Sequence, residues 1–412
     1  MTRKEFIKKS LMTFGSLMFL PRIVHPLIGQ RTIRNLKDLF NNKTVVLINL
    51  SGGNDGLNTV IPYSNDNYYN LRPSIGIEPN SVLALNNDLG LHPELSELYD
   101  IWQLNNLAII ENVGYNSQNL SHFRSTDIWR SGSNSNDVIT TGWVARYIEQ
   151  VVQDIHTHPP QYPSAFQIGN SNTLQLTGNN GMTGVLVDDP ETFYQLVNET
   201  YDDPSNGEND LNTYGKQEVE FIRQISTLSF NYADVIQSAS LNGQNTINYA
   251  NTSPGRDLKI IAKLISGGFY SPFYLVHQGG YDTHDNQLYR HDILMNNLSS
   301  SISSFISDLH NQGLYENIVV MTTSEFGRRP FENGAFGTDH GTSAPHFLVG
   351  NNINSSIIGG NPNLSSFDNN QNLHHTIDYR QIFASLITEW FGHSQNIADT
   401  TFNGNFEPLG LF

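Results

Sequence analysis

The sequence predicts an α/β fold: a doubly wound, mostly parallel sheet flanked by helices, with a loop-rich insertion. Three observations predict it. The runs 44–50 (TVVLINL), 272–276 (PFYLV) and 317–323 (NIVVMTT) are apolar without a polar face, as strands covered by helices on both sides must be. Each run ends at glycines or carboxylates, the junction at which open α/β sheets place their ligands. Helical segments with one apolar face separate the strands, the alternation that produces parallel pairing.

Taken in order, the first strand, 44–50, enters SGGNDGLNT, whose glycines permit a tight turn with φ > 0 and set Asp55 just beyond the strand. A helix is predicted over 93–103 from the spacing of Leu95, Leu98, Tyr99 and Trp102, and a strand over 107–111 follows, giving a βαβ unit. Ser121 opens SHFRSTDIWRSG as a helix N-cap, with its hydroxyl at the positive end of the helix dipole. From about 170 to 251 the chain loosens into TGNNG and YDDPSNGEND around a helical stretch near 218–236, read as an insertion capping the sheet. Periodicity returns in a helix over 256–266, with Leu258, Ile261, Ala262 and Ile265 on its apolar face. The strand 272–276, a helix over 293–312, the strand 317–323 and a closing helix over 379–391 complete one domain spanning 40–412.

Composition narrows the function. With 22 basic against 39 acidic residues the net charge of -17 repels nucleic acid, so none is expected as partner. The absence of cysteine excludes disulfides, thiolate nucleophiles and zinc–cysteine sites. Basic residues Arg3, Lys4, Lys8 and Lys9 precede a short apolar stretch, 11–20, and residues 1–29 read as a signal peptide similar to a twin-arginine signal with Lys4 in place of the second arginine. Export to the periplasm or cell surface is expected, with no stable membrane insertion after processing.

Acidic and imidazole residues gather at the strand ends. Glu325 follows the strand 317–323 in SEFGRRPFENGAFGTDHG, which also supplies Asp339 and His340; HQGGYDTH after the strand 272–276 supplies His277, Asp282 and His284. Together with Asp55, the oxygen and imidazole donors Asp282, His284, Glu325, Asp339 and His340 suit one or two divalent ions: Zn, Mn, Mg or Ca. Two cations about 4 Å apart clamp the attacking and leaving oxygens of an ester displacement, which points to a hydrolase of phosphate or sulfate esters. Ser121 is the candidate nucleophile, and Arg124 and Arg328 are fork-shaped donors suited to a tetrahedral oxyanion. Plainer readings stand beside these: Ser121 as a cap, Asp55 as a stabiliser of its turn, Arg328 as a partner of Glu325 and His277 as a core histidine.

The ordered set LINLSGGNDGLNTVIP, NLSHFRSTDIWRSG, LVHQGGYDTHDNQ, SEFGRRPFENGAFGTDHG and DYRQIFASL resembles a bacterial exported family known as a domain of unknown function, within the alkaline-phosphatase and sulfatase-like superfamily. The resemblance implies an alkaline-phosphatase-like sheet and a dinuclear site. Asp282, His284 and His340 would hold one metal; Asp55, Glu325 and Ser121 would hold the other. Where the superfamily has Asp-His or Asp-Asn, this chain has Glu325 and Phe326, and a second register makes Asp339 and His340 the Asp-His pair. TSPGR, from Thr252, resembles the sulfatase modification motif, but Thr252 stands where that motif needs Cys or Ser. The expected substrate is a small-molecule or glycan ester. The competing expectation is a catalytically silent binding or scaffold protein of the same fold.

Overall fold

The computed structural model describes residues 35–169, 173–199 and 232–412. The expected signal peptide and most of the expected helix at 218–236 lie outside the described residues. One sheet of nine strands organises the chain. Numbered along the chain these are β1 Thr44–Ser51, β2 Leu107–Gly114, β3 Ala165–Ile168, β4 Val185–Val187, β5 Phe273–Gly279, β6 Ile318–Thr323, β7 Ala344–Gly350, β8 Ile357–Ile358 and β9 Ile377–Asp378. Their spatial order is β8-β2-β7-β6-β1-β5-β3-β4, with β9 also paired to β2. All pairings are parallel except those of β7, which runs antiparallel to both β2 and β6.

The helices that cover it are α1 Ser96–Gln103, α2 His122–Ser131, α3 Trp143–Val151, α4 Ser253–Ser266, α5 Gln287–Asn311 and α6 Tyr379–Ser385. Alternation along each strand sends residues to two separate cores. Val45, Leu47, Ile110, Leu275 and Met321 pack with Ile128 of α2, Trp143 and Tyr147 of α3, and Phe383 of α6. Val46, Ile48, Ile109, Val276 and Val320 pack with Leu98 of α1, Ile261 of α4 and Leu298 and Phe305 of α5. The strands are therefore buried on both faces, as their unbroken apolar runs require.

Two features depart from expectation. The segments at 44–50 and 107–111 do form strands flanking a helix, but β1 and β2 are not neighbours, because β6 and β7 lie between them. The antiparallel β7, buried at every position, carries this rearrangement. Within the segment read as an insertion, β4 pairs with β3 and extends the main sheet at its edge. The closing helix ends its regular turns at Ser385 and continues as a π-helical stretch, Leu386–Trp390.

Candidate metal centre

The site forms where β1, β5 and β6 end together. In the parallel register Ser51 of β1 stands beside Gly279 of β5, and Asn49 of β1 beside Thr323 of β6, so the segments that follow emerge side by side. Gly52 and Gly53 take φ of 121° and 80°, which side chains rarely adopt, and a Cβ on Gly52 would collide with the backbone nitrogen of Asp282. The turn after β1 is thus pressed directly against the turn that carries Asp282. The Ser324 hydroxyl donates to Leu50 O at 3.0 Å and accepts from Asn54 N at 2.9 Å, locking the exit of β6 to the same turn.

Three imidazoles converge on the carboxylate of Asp282. His284 Nε2 and His340 Nε2 lie 3.1 and 3.2 Å from its Oδ1, and His122 Nε2 lies 3.4 Å from its Oδ2. His284 Nε2 and His340 Nε2 are 3.0 Å apart. Donor atoms of His122, Asp282 and His340 fall within 4.8 Å of one another, an arrangement able to hold a metal ion. The cluster opens to solvent on one side: the Asp282 and His284 side chains are 47% and 44% exposed.

The electrostatics are those of a carboxylate-rich cluster with the buried Arg328 guanidinium beside it. The Arg328 guanidinium is buried, and it donates through Nε to Gly53 O at 2.8 Å, through Nη1 to Thr338 O at 2.9 Å, and through Nη2 to Gly52 O, Tyr281 O and Asp282 Oδ1. Partial burial opposes the charge on Asp282, but this hydrogen bond and the Arg328 charge prevail and hold its pKa down at about 2. The hydrogen bond from His122 to Glu325 raises the His122 pKa, whereas burial lowers that of His340.

The other expected site residues are distributed as follows. Glu325 is buried; its Oε1 accepts from Gly52 N at 2.7 Å and pairs with His122 Nδ1 at 3.0 Å, and its Oε2 has no hydrogen-bond partner. Asp339 stands at the outer edge, its Oδ1 3.4 Å from His284 Nδ1. Ser121 is exposed at the N-cap of α2 and its side chain makes no capping bond. Arg124 turns away to a loop, donating to Ser135 O at 3.0 Å and Asp137 O at 2.5 Å. Asp55 is buried in a bidentate pair with Arg72, at 2.6 and 2.8 Å, and Oδ2 also accepts from Gln287. Although burial disfavours its charge, Arg72 keeps the Asp55 pKa below the usual range. The structure therefore brings Asp282, His284, Asp339, His340 and Glu325 together, ties Arg328 beneath them, and turns Asp55 and Arg124 to other partners. His277 is half-buried and lines a small cavity with Asn49, Arg130, Gln167 and Thr323.

His122 is the member that sequence reasoning passed over. Its signal was present in SHFRS: a histidine directly after a helix N-cap, at the terminus that faces the strand ends. Beside it, Phe326 packs its ring against His122 and His340, with centroids at 4.9 and 4.6 Å.

A family model described as a protein of unknown function (DUF1501) matches residues 265–399. No curated protein matches the sequence. Among solved structures, the PsFucS1 sulfatase from Pseudoalteromonas sp. aligns at 12% identity with a TM-score of 0.38, covering 99% of this chain and 75% of that one. The C-terminal periplasmic domain of EcEptC from Escherichia coli, in complex with Zn, aligns at 12% identity and a TM-score of 0.38, covering 89% and 87%. A protein in the alkaline phosphatase superfamily from Vibrio parahaemolyticus aligns at 10% identity and a TM-score of 0.30, covering 87% and 72%.

Proposed function

We propose that this chain is an exported metal-dependent hydrolase of phosphate or sulfate esters. The observation that carries the reading is the convergence of His122, His284 and His340 on Asp282 at the strand ends, under the helix terminus that presents Ser121. Imidazole nitrogens of His122 and His340 with a carboxylate oxygen of Asp282, within 4.8 Å of one another, are a donor set that fits a divalent cation, and a cation held there would supply Lewis acidity toward an ester oxygen. It also answers a charge problem, since Asp282, Glu325 and Asp339 would otherwise repel an anionic ester. Among the described residues no helix is long and apolar enough to cross a membrane.

The protein groups then have separable tasks. Ser121, whose hydroxyl makes no capping bond to the helix, is the nucleophile of this reading: its oxygen would bond to phosphorus or sulfur as the bond to the ester oxygen breaks, its proton would leave with that oxygen as the alcohol, and water would then release phosphate or sulfate, the helix N-terminal amides favouring the charge of the transferred group. Arg328 orients Asp282 from below rather than gripping substrate, because four of its bonds go to main-chain carbonyls. The open side at Asp282 and His284 admits the ester, on a small molecule or a glycan.

The test is turnover of aryl phosphate and aryl sulfate monoesters by the full chain loaded in turn with Zn, Mn, Mg and Ca, beside Ser121→Ala. Turnover that disappears in Ser121→Ala while bound metal is retained supports the hydrolase. A metal-loaded parent inert toward both ester classes would overturn it. One observation favours the alternative, a silent binding protein: Phe326 stands directly after Glu325, where the superfamily that the chain resembles has a His or Asn, and its ring packs against His122 and His340.

A further inference from the structure

The His122 and His340 imidazoles present Nε2 inward and have Nδ1 hydrogen-bonded to an acceptor, whereas His284 Nδ1 stands only within ion-pair distance of Asp339. His122 Nδ1 meets Glu325 Oε1 at 3.0 Å, His340 Nδ1 meets Leu120 O at 2.8 Å, and His284 Nδ1 meets Asp339 Oδ1 at 3.4 Å. An acceptor at Nδ1 fixes the proton there and leaves Nε2 as a lone-pair donor, the arrangement that metal-ligating histidines share. Asp282 is held in the same way, with Arg328 Nη2 on its Oδ1 at 2.7 Å. With Nδ1 of His122 and His340 donating outward, their Nε2 lone pairs face the Asp282 carboxylate, an arrangement that a cation or a proton between them relieves.

The spacing is compatible with a shared ion. Bonds of about 2.0–2.1 Å arranged tetrahedrally set ligand atoms about 3.3 Å apart. His284 Nε2 and His340 Nε2 lie 3.0 Å apart and 3.1 and 3.2 Å from Asp282 Oδ1, whereas His122 Nε2 lies 3.4 Å from the other oxygen, Oδ2; ligand atoms of His122, Asp282 and His340 fall within 4.8 Å of one another. Two of the groups expected at a second cation have other partners: Asp55 is paired with Arg72 and Gln287, and Glu325 Oε1 with Gly52 and His122, while Glu325 Oε2 makes no hydrogen bond.

We infer that the site holds a single cation of the zinc class with His122, Asp282 and His340 as ligands, His284 at an exchangeable fourth position, and Glu325 behind His122 as an orienting group. The inference rests on the metal-dependent reading above and makes it specific. Zinc suits imidazole nitrogen with carboxylate oxygen, whereas Mg and Ca take all-oxygen shells. A fourth ligand that yields to substrate gives a catalytic site its open position.

The experiment is metal stoichiometry by elemental analysis, with cobalt(II) titration followed by visible absorption, on the full chain and on His122→Ala, His122→Cys, Glu325→Gln, Ser121→Ala and His284→Ala. The parent should bind one equivalent. His122→Ala should lose it, Ser121→Ala should keep it, Glu325→Gln should bind one equivalent about 10–100-fold more weakly, and His284→Ala should keep one with an altered cobalt spectrum. Because the chain has no cysteine, a cobalt–thiolate charge-transfer band in His122→Cys can arise only at that position, and its appearance would place residue 122 on the metal. Two equivalents in the parent, parent-like affinity in His122→Ala, or a cobalt-loaded His122→Cys without that band would overturn the single-site assignment while leaving the hydrolase reading intact. A parent that binds no metal would remove both.

Discussion

Arg328, buried beneath the cluster, reaches Asp282 Oδ1 at 2.7 Å with the same nitrogen that bonds the carbonyl of Tyr281 at 3.0 Å, so one guanidinium fixes both the ligand and the turn that carries it. A lysine offers a point charge without the fork. Arg328→Lys should leave most of the five contacts unmade, weaken zinc binding at least about tenfold, and destabilise the fold by about 1–3 kcal/mol, the cost of leaving buried main-chain carbonyls without their donor. Zinc titration beside urea unfolding checks both; parent-like values in each would refute the role.

The pair Arg72–Asp55 is buried on both sides, with side-chain exposures of 0% and 0%. Asp55→Asn and Arg72→Met should each cost about 3–5 kcal/mol in urea unfolding, since each strands a buried partner. Metal content should not change in either. Loss of an equivalent from Asp55→Asn, with the protein still folded, would return Asp55 to the list of ligands.

Gly52→Ala tests the contact between turns. The φ of 121° and the backbone of Asp282 leave no place for a methyl group, so the variant must push the Asp282 turn away. Zinc affinity should fall by at least about tenfold, as for a displaced ligand, even where circular dichroism shows a native fold. Unchanged affinity would mean that the turn yields without moving Asp282.

Glu111, in the middle of β2, is 3% exposed, and burial pushes its pKa up to about 8. The unfolded chain releases that proton near pH 4.3, so the folded state holds one more proton between about pH 4.3 and 8. The contribution to stability is complete below the unfolded value and disappears as pH rises through the folded one, at up to about 1.4 kcal/mol per pH unit. Glu111→Gln should flatten the decline in urea midpoint between about pH 5 and 8. A slope equal to that of the parent would assign the decline to other groups.

The sequence made the strands at β1, β5 and β6 legible because each is buried on both faces and must be apolar throughout. It also singled out Asp282, His284, Glu325 and His340, side chains that the structure brings together, since a strand end followed by charged residues is a recognisable pattern. The neighbours of β7 were not legible: an antiparallel insertion between β2 and β6 depends on contacts made after the sheet assembles, and APHFLVG reads like any buried strand. The fate of Asp55 was hidden for a similar reason, because Arg72 reaches it from 17 positions along the chain, past two short helices, with no periodic signal. His122 was in view, but a serine beside a helix start drew the inference one position early.

The positions of the donors along the chain have a consequence for classification. Residues 265–399, the part that matches the family model, contain Asp282, His284, Glu325, Arg328 and His340, yet His122 and the Gly52 amide that braces Glu325 come from 143 and more residues before that window opens. Two relatives could agree at every position of the matched segment and still differ at position 122, on which the proposed metal site depends. Sorting such relatives by chemistry therefore requires reading the residue at the start of the helix after β2, a position that the shared segment never samples.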